Sequence, residues 1–195
     1  MQWPTTGTRC RNWGARGCVT GYGRCVTERA DPPAHGPELA QLRAWLDFHR
    51  DTLRRKCAGL TQAQLSQPLV GELTLGGLMK HLAGVEDTWF SVVLLGNEDA
   101  DVWQAGDWEA DPDWDLHSAK DDTPEELRRT FDEAVAASDR ILDEVDGDLD
   151  RRAVRERHGE THDLRWIMLH MIEEYARHNG HADLIRESVD GATGE

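Results

Sequence analysis

The sequence has no run of 18 apolar residues, so no segment of it reads as a helix spanning a bilayer. Its N-terminus lacks the apolar stretch of a signal peptide, and a cytoplasmic chain is expected. Basic residues are few: 22 Lys and Arg stand against 37 Asp and Glu, a net charge of −15 over 195 residues. Such a surface repels phosphates, which argues against nucleic acid or an anionic membrane as the main partner. Cysteines number four. Three of them, Cys10, Cys18 and Cys25, have a spacing that fits no zinc knuckle. There are no internal repeats. What remains is an ordinary globular composition at a length suited to one domain.

The charge is unevenly placed. Residues 1–32 hold five Arg against Glu28 and Asp31, a net of +3, so the rest carries −18. That first stretch is rich in Gly, Thr and Arg and shows neither helical nor strand period. We expect a poorly ordered extension over residues 1–34 and one folded domain over 35–195.

The domain reads as four amphipathic helices. The first starts near Pro37 and stops at Gly59, with Leu39, Leu42, Leu46, His49 and Leu53 on its inner face and Trp45 widening it. Cys57 reads as a small apolar filler. Thr61 and Gln64 form a capping box for a short turn. A second helix runs from Thr74 to Leu95, with Leu75, Leu78, Leu82, Val85, Trp89 and Val92 as its seam. A third spans Thr123 to Val145, opened by the capping box of Thr123 and Glu126. Its inner positions are Leu127, Phe131, Ala134, Ser138, Ile141 and Val145. The fourth spans Asp163 to Ser188. An all-α four-helix bundle with a long crossover over residues 96–122 is the economical solution. That crossover carries Trp103, Trp108 and Trp114 among acidic residues, and we expect at least two of them simply to pin it to the bundle.

The fourth helix carries the chemistry. Ile167, Met171, Glu174, His178, His181 and Ile185 follow one another at steps of four and three, the stripe of a core-facing helix, yet its middle is Glu, His, His. His170 stands four before Glu174, on the edge of that face. Buried carboxylate and imidazole groups cost several kcal/mol unless something pairs them. Residues four apart on a helix lie side by side, so Glu174 and His178 can grip one ion. His81, between Leu78 and Val85, faces inward from the second helix and supplies a third ligand. Two His and one Glu would leave coordination positions open, as catalytic metal sites do. The plainer readings are a helix salt bridge between Glu174 and His178, or a satisfied polar network in a structural bundle. His35, His49, His117, His158 and His162 are read as hydrogen-bonded or exposed. Gly180 costs about 1 kcal/mol in mid-helix relative to Ala, which suggests close approach of a neighbour there.

Three stretches resemble the DinB superfamily, bundle proteins related to mycothiol-dependent maleylpyruvate isomerase and the bacillithiol transferases, and most closely an actinobacterial branch of it. They are Leu73–Phe90 around His81, Arg165–Glu187 around Glu174 and His178, and the Trp-bearing acidic crossover; the likeness covers residues 37–191. It implies a DinB-type four-helix bundle with a divalent metal on His81, Glu174 and His178. Many members have His where Glu174 stands, whereas the mycothiol-dependent isomerase pattern has Glu. Many have Gln where His181 stands. The implied activity is that of a metal-dependent thiol transferase or isomerase, with mycothiol as cosubstrate and an electrophilic small molecule as second substrate. Zinc is the first choice of metal, with nickel or iron as alternatives. His181 and His170 are the candidates for orienting a ligand or moving a proton. The alternatives are a non-catalytic bundle that binds metal or a small molecule, and a metal-dependent hydrolase. A monomer or homodimer fits either.

Overall fold

The computed structural model describes residues 31–194. The N-terminal stretch, with Cys10, Cys18 and Cys25, lies outside the described residues, and with it most of the extension expected over 1–34.

The described chain is all helical. Helix α1 spans Glu38–Cys57, the single turn α2 Gln62–Leu65, and α3 Leu75–Glu86, which runs directly into a π-helical segment, Asp87–Leu94. The crossover holds α4 (Asp101–Gln104) and α5 (Trp114–Ser118) with a 3₁₀ turn at Ala119–Asp121. The long helices α6 (Pro124–Glu144) and α7 (Leu164–Asp190) follow. Helix α1 packs chiefly on α7, and α3 packs on α6, α5 and α7. The helix starts follow the capping chemistry read from the sequence. Both capping boxes, Thr61 with Gln64 and Thr123 with Glu126, are formed. Thr74 caps α3 and Asp163 caps α7. Pro37 is the N-cap of α1 rather than its first helical residue.

Two seams differ from the 3.6-residue period. The expected second helix is not α throughout: its last two turns are π-helical. A π turn advances the register by about one residue, so Val93 replaces Val92 inside, beside Trp89, Phe90 and Leu94. The segment between α6 and α7 folds back over this end. Val154 and Arg155 donate backbone N–H groups to the carbonyls of Val93 and Leu94 at 3.0–3.2 Å, which caps the final turn. Gly96, at φ +81°, lets this happen, since a Cβ there would lie 2.6 Å from Val154. In α1 the inner position is Arg50, while His49 is half-buried and Trp45 is exposed.

Arg50 is the unexpected feature of the core. It is 1% exposed and forms a two-pronged ion pair with Glu86, which is 0% exposed, at 2.7 Å for both contacts. The Tyr175 hydroxyl donates to the same carboxylate at 2.8 Å. The remaining guanidinium nitrogen reaches Asp47 and Asp139, each at 2.9 Å. Burial and the Glu86 carboxylate push the Tyr175 phenol well up, so it stays a donor. One network therefore ties α1, α3 and α7 together inside a core of Leu46, Leu78, Leu82, Phe131 and Met171.

Removing one partner of a buried pair strands the other. Glu86→Ala is expected to destabilise by about 3–5 kcal/mol, and Tyr175→Phe by about 1.5–3 kcal/mol, both measured by urea denaturation. Cys57 fills space as expected: it is buried, and burial pushes its thiol up to about 12. Peptide mapping after treatment of the native protein with a thiol reagent should find Cys57 unlabelled.

Candidate functional site

Helix α7 presents a chain of functional side chains along one flank. The innermost residues between Met171 and Ile185 are Tyr175, Asn179 and Ala182, not Glu174, His178 and His181. Those three sit one position round the helix, half-buried, with Glu174 and His178 side chains each 15% exposed. The sequence stripe was thus displaced toward the surface: Tyr175 takes the inner place because its hydroxyl reaches Glu86. Gly180 is exposed, with nothing within 4 Å of where its Cβ would be. The neighbour expected there is absent among the described residues.

The flank faces His81 on α3. One ligand atom from each of His81, Glu174 and His178 falls within 4.8 Å of the other two. The His81 and His178 rings meet edge to face at 5.0 Å, and His178 Nε2 lies 3.2 Å from Glu174 Oε2. His81 Nδ1 lies 2.7 Å from Asp115 Oδ2, on α5. Asp115 is buried and was not anticipated; no motif marks it, because it lies in the crossover and reaches the site only through the fold.

His181 lies beside His178, ring centroids 5.6 Å apart. His178 Nδ1 and His181 Nδ1 are both buried without a hydrogen-bond partner among the described residues. His170 approaches Glu174 from the other side, Nε2 to Oε1 3.8 Å. Its ring packs on Trp89 at 4.6 Å and stacks on Trp166, which stacks in turn on His162. His170, Glu173 and Glu174 also lie close enough to share an ion. Glu173 is exposed and paired with Arg177, and all three come from one helix turn, so this grouping is the less enclosed of the two.

Burial lowers the His170 and His178 pKa values, in His178 with the nearby His81 adding to the effect. Both rings are thereby held toward the neutral form, in which imidazole has a lone pair to give. The crossover tryptophans pin the crossover to α3. Trp103 is buried against Gly84, Trp108 donates to the Trp103 carbonyl at 2.8 Å, and Lys80 lies 4.7 Å over the Trp114 ring.

A family model described as mycothiol-S-transferase matches residues 41–191. This chain belongs to the mycothiol-S-transferase family. As a member of that family it is a DinB-like protein, in agreement with the likeness read from the sequence, and a thiol-dependent transferase is the activity the family indicates. Comparison with curated proteins finds no match. No helix among the described residues is long and apolar enough to cross a membrane.

The lowered pKa values carry a stability consequence. His170 and His178 stay neutral in the fold below the ordinary value of 6.5, where the unfolded chain takes up protons. Unfolding then binds protons, so stability is full above that pH and declines as pH falls through it. Urea midpoints measured on either side of pH 6.5 should show the decline, and His178→Gln should make it shallower.

Proposed function

We propose that this member of the mycothiol-S-transferase family is a divalent-metal-dependent S-transferase that joins a small thiol of the mycothiol type to an electrophilic small molecule. The observation that carries the reading is the approach of His81, Glu174 and His178, from two separate helices, to within 4.8 Å of one another. The donor set suits a borderline divalent ion such as zinc, with nickel or iron as alternatives. The orphaned Nδ1 of His178 supports the fit, because a buried ring nitrogen without a partner is costly unless something is bound nearby.

His81, Glu174 and His178 would hold the metal, and three protein ligands leave room for a substrate. When bound, the cation supplies Lewis acidity that lowers the pKa of a thiol beside it. The chain's own groups do the rest. Glu174 would offset only one of the two positive charges of a bound divalent ion, which would leave the site favourable to a thiolate. His170, held neutral by its burial, accepts a proton from the incoming thiol. His181, with a buried and unpartnered Nδ1, is the second candidate for that role from the opposite side. The sulfur forms its new bond to the electrophilic carbon of the second substrate as that carbon's bond to its leaving atom breaks; the electron pair goes with the leaving atom, which takes up the proton held on the histidine. Buried Trp89 and partly exposed Trp166 line the His170 side with aromatic surface.

Two measurements test this. Elemental analysis of purified protein should find about one equivalent of divalent metal, and His81→Ala, Glu174→Ala and His178→Ala should each lose it. With mycothiol and a panel of reporter electrophiles, thiol conjugation should fall by about 10²-fold or more in the same variants. Stoichiometric metal without turnover across the panel would point instead to a binding bundle. Absence of metal, with Glu174→Gln mild, would point to a structural polar network.

A further inference from the structure

The crossover between the π-helical segment and α6 supplies no metal ligand, yet one of its side chains touches one. Asp115 lies in the short helix α5 and is 8% exposed. Its Oδ1 accepts from the Leu116 N–H at 2.9 Å, and its Oδ2 lies 2.7 Å from His81 Nδ1. A carboxylate accepts hydrogen bonds and donates none, so the proton in the second contact belongs to His81 Nδ1. In the neutral ring the lone pair is then on Nε2.

The close seating of α5 is built into α3. A Cβ at Gly77 would stand 2.9 Å from the Leu116 carbonyl oxygen, so glycine is what lets the α5 backbone lie against the first turn of α3. One turn later Lys80 reaches past it, pairing with Asp122 at 2.6 Å and lying over Trp114. Gly77, Lys80 and His81 thus belong to one stretch of α3, and all three meet the same piece of crossover.

We propose that Asp115 is a positioning residue: it selects the Nδ1–H tautomer of His81 and fixes its ring so that Nε2 is turned to the space shared with Glu174 and His178. The inference rests on the metal reading above, and makes the Trp-bearing crossover part of the site rather than only its cover. His178 offers the contrast within the same cluster. Its Nδ1 has no such partner, so of the two imidazoles His81 is the pre-oriented one. Carboxylate partners of this kind raise ligand basicity, and their loss typically costs about 10–100-fold in metal affinity.

The test uses metal-free full-length protein labelled with ¹⁵N-histidine, read by long-range ¹H–¹⁵N correlation at alkaline pH, with zinc affinity from chelator competition. Wild type should show His81 as the Nδ1–H tautomer. Asp115→Ala should lose that preference and bind zinc about 10–100-fold more weakly, with its far-ultraviolet circular dichroism retained. Asp115→Asn keeps the shape but offers both a donor and an acceptor. It should give mixed tautomers and an intermediate affinity, and it serves if the Ala variant does not fold. An Nε2–H tautomer in wild type overturns the proposal, as does a zinc affinity unchanged in Asp115→Ala. If wild type binds no zinc, the metal reading fails, while loss of the Nδ1–H preference in Asp115→Ala still upholds the selection by Asp115.

Discussion

The buried Glu86 carboxylate is the constraint on which the rest of the structure depends. It receives Arg50 from α1 and Tyr175 from α7 while sitting at the end of α3. Hydrophobic burial alone is indifferent to small slides of one helix along another, because leucines repack. A two-pronged ion pair is not, since it is favourable in one geometry only. Its desolvation is expensive, so the pair argues less for stability than for register. The register matters because Tyr175 follows Glu174 directly in α7 and His81 lies five residues before Glu86 in α3. A slip of one helical turn is about 5.4 Å, more than the 4.8 Å across which the candidate ligand atoms now gather.

The same network explains which parts of the fold and site were legible in the sequence. Helix existence and ends were readable because caps are local: Thr61 with Gln64, Thr123 with Glu126, and Asp163 each act within one turn. His81, Glu174 and His178 were readable as a set because their helical spacing puts them on facing flanks. Their depth was not. Glu174 and His178 looked like core positions because they continue the four-and-three stepping of Ile167, Met171 and Ile185. Tyr175 goes inside because Glu86 waits there, and Glu86 goes inside because of Arg50, 36 residues away. Nothing local in any one of the three signals the other two. The π-helical turns after Glu86 were hidden for a related reason, since the 3.6-residue seam still reaches the buried Trp89, with Val85 half-buried on the way, and then misses at Val92.

The acidity of the chain takes on a more specific meaning beside the site. The basic side chains that lie in the interior are committed: Arg50 to Glu86, Lys56 to Asp183, Lys80 to Asp122. Among the described residues the cluster facing His81 therefore has no buried cation competing for Glu174; Arg177, 3.9 Å from Glu174, is exposed and bound first to Glu173. A carboxylate left without a strong protein cation, next to two imidazoles, is a site that favours a positive charge from outside. The overall charge of −15 repels polyanions at a distance, but it does not decide what a half-buried group of three donors attracts at close range.

Two kinds of support thus converge on the candidate centre. Helices α3 and α7 are held in register from inside by the Tyr175 hydroxyl, which donates to the Glu86 carboxylate that Arg50 pairs from α1, and His81 is held from outside by a crossover that only glycine at position 77 lets come close. The inner support sets where the donor atoms stand; the outer one sets which nitrogen of His81 is turned toward them. The outer support occupies His81 Nδ1 and so leaves the Nε2 lone pair for the ligand proposed above.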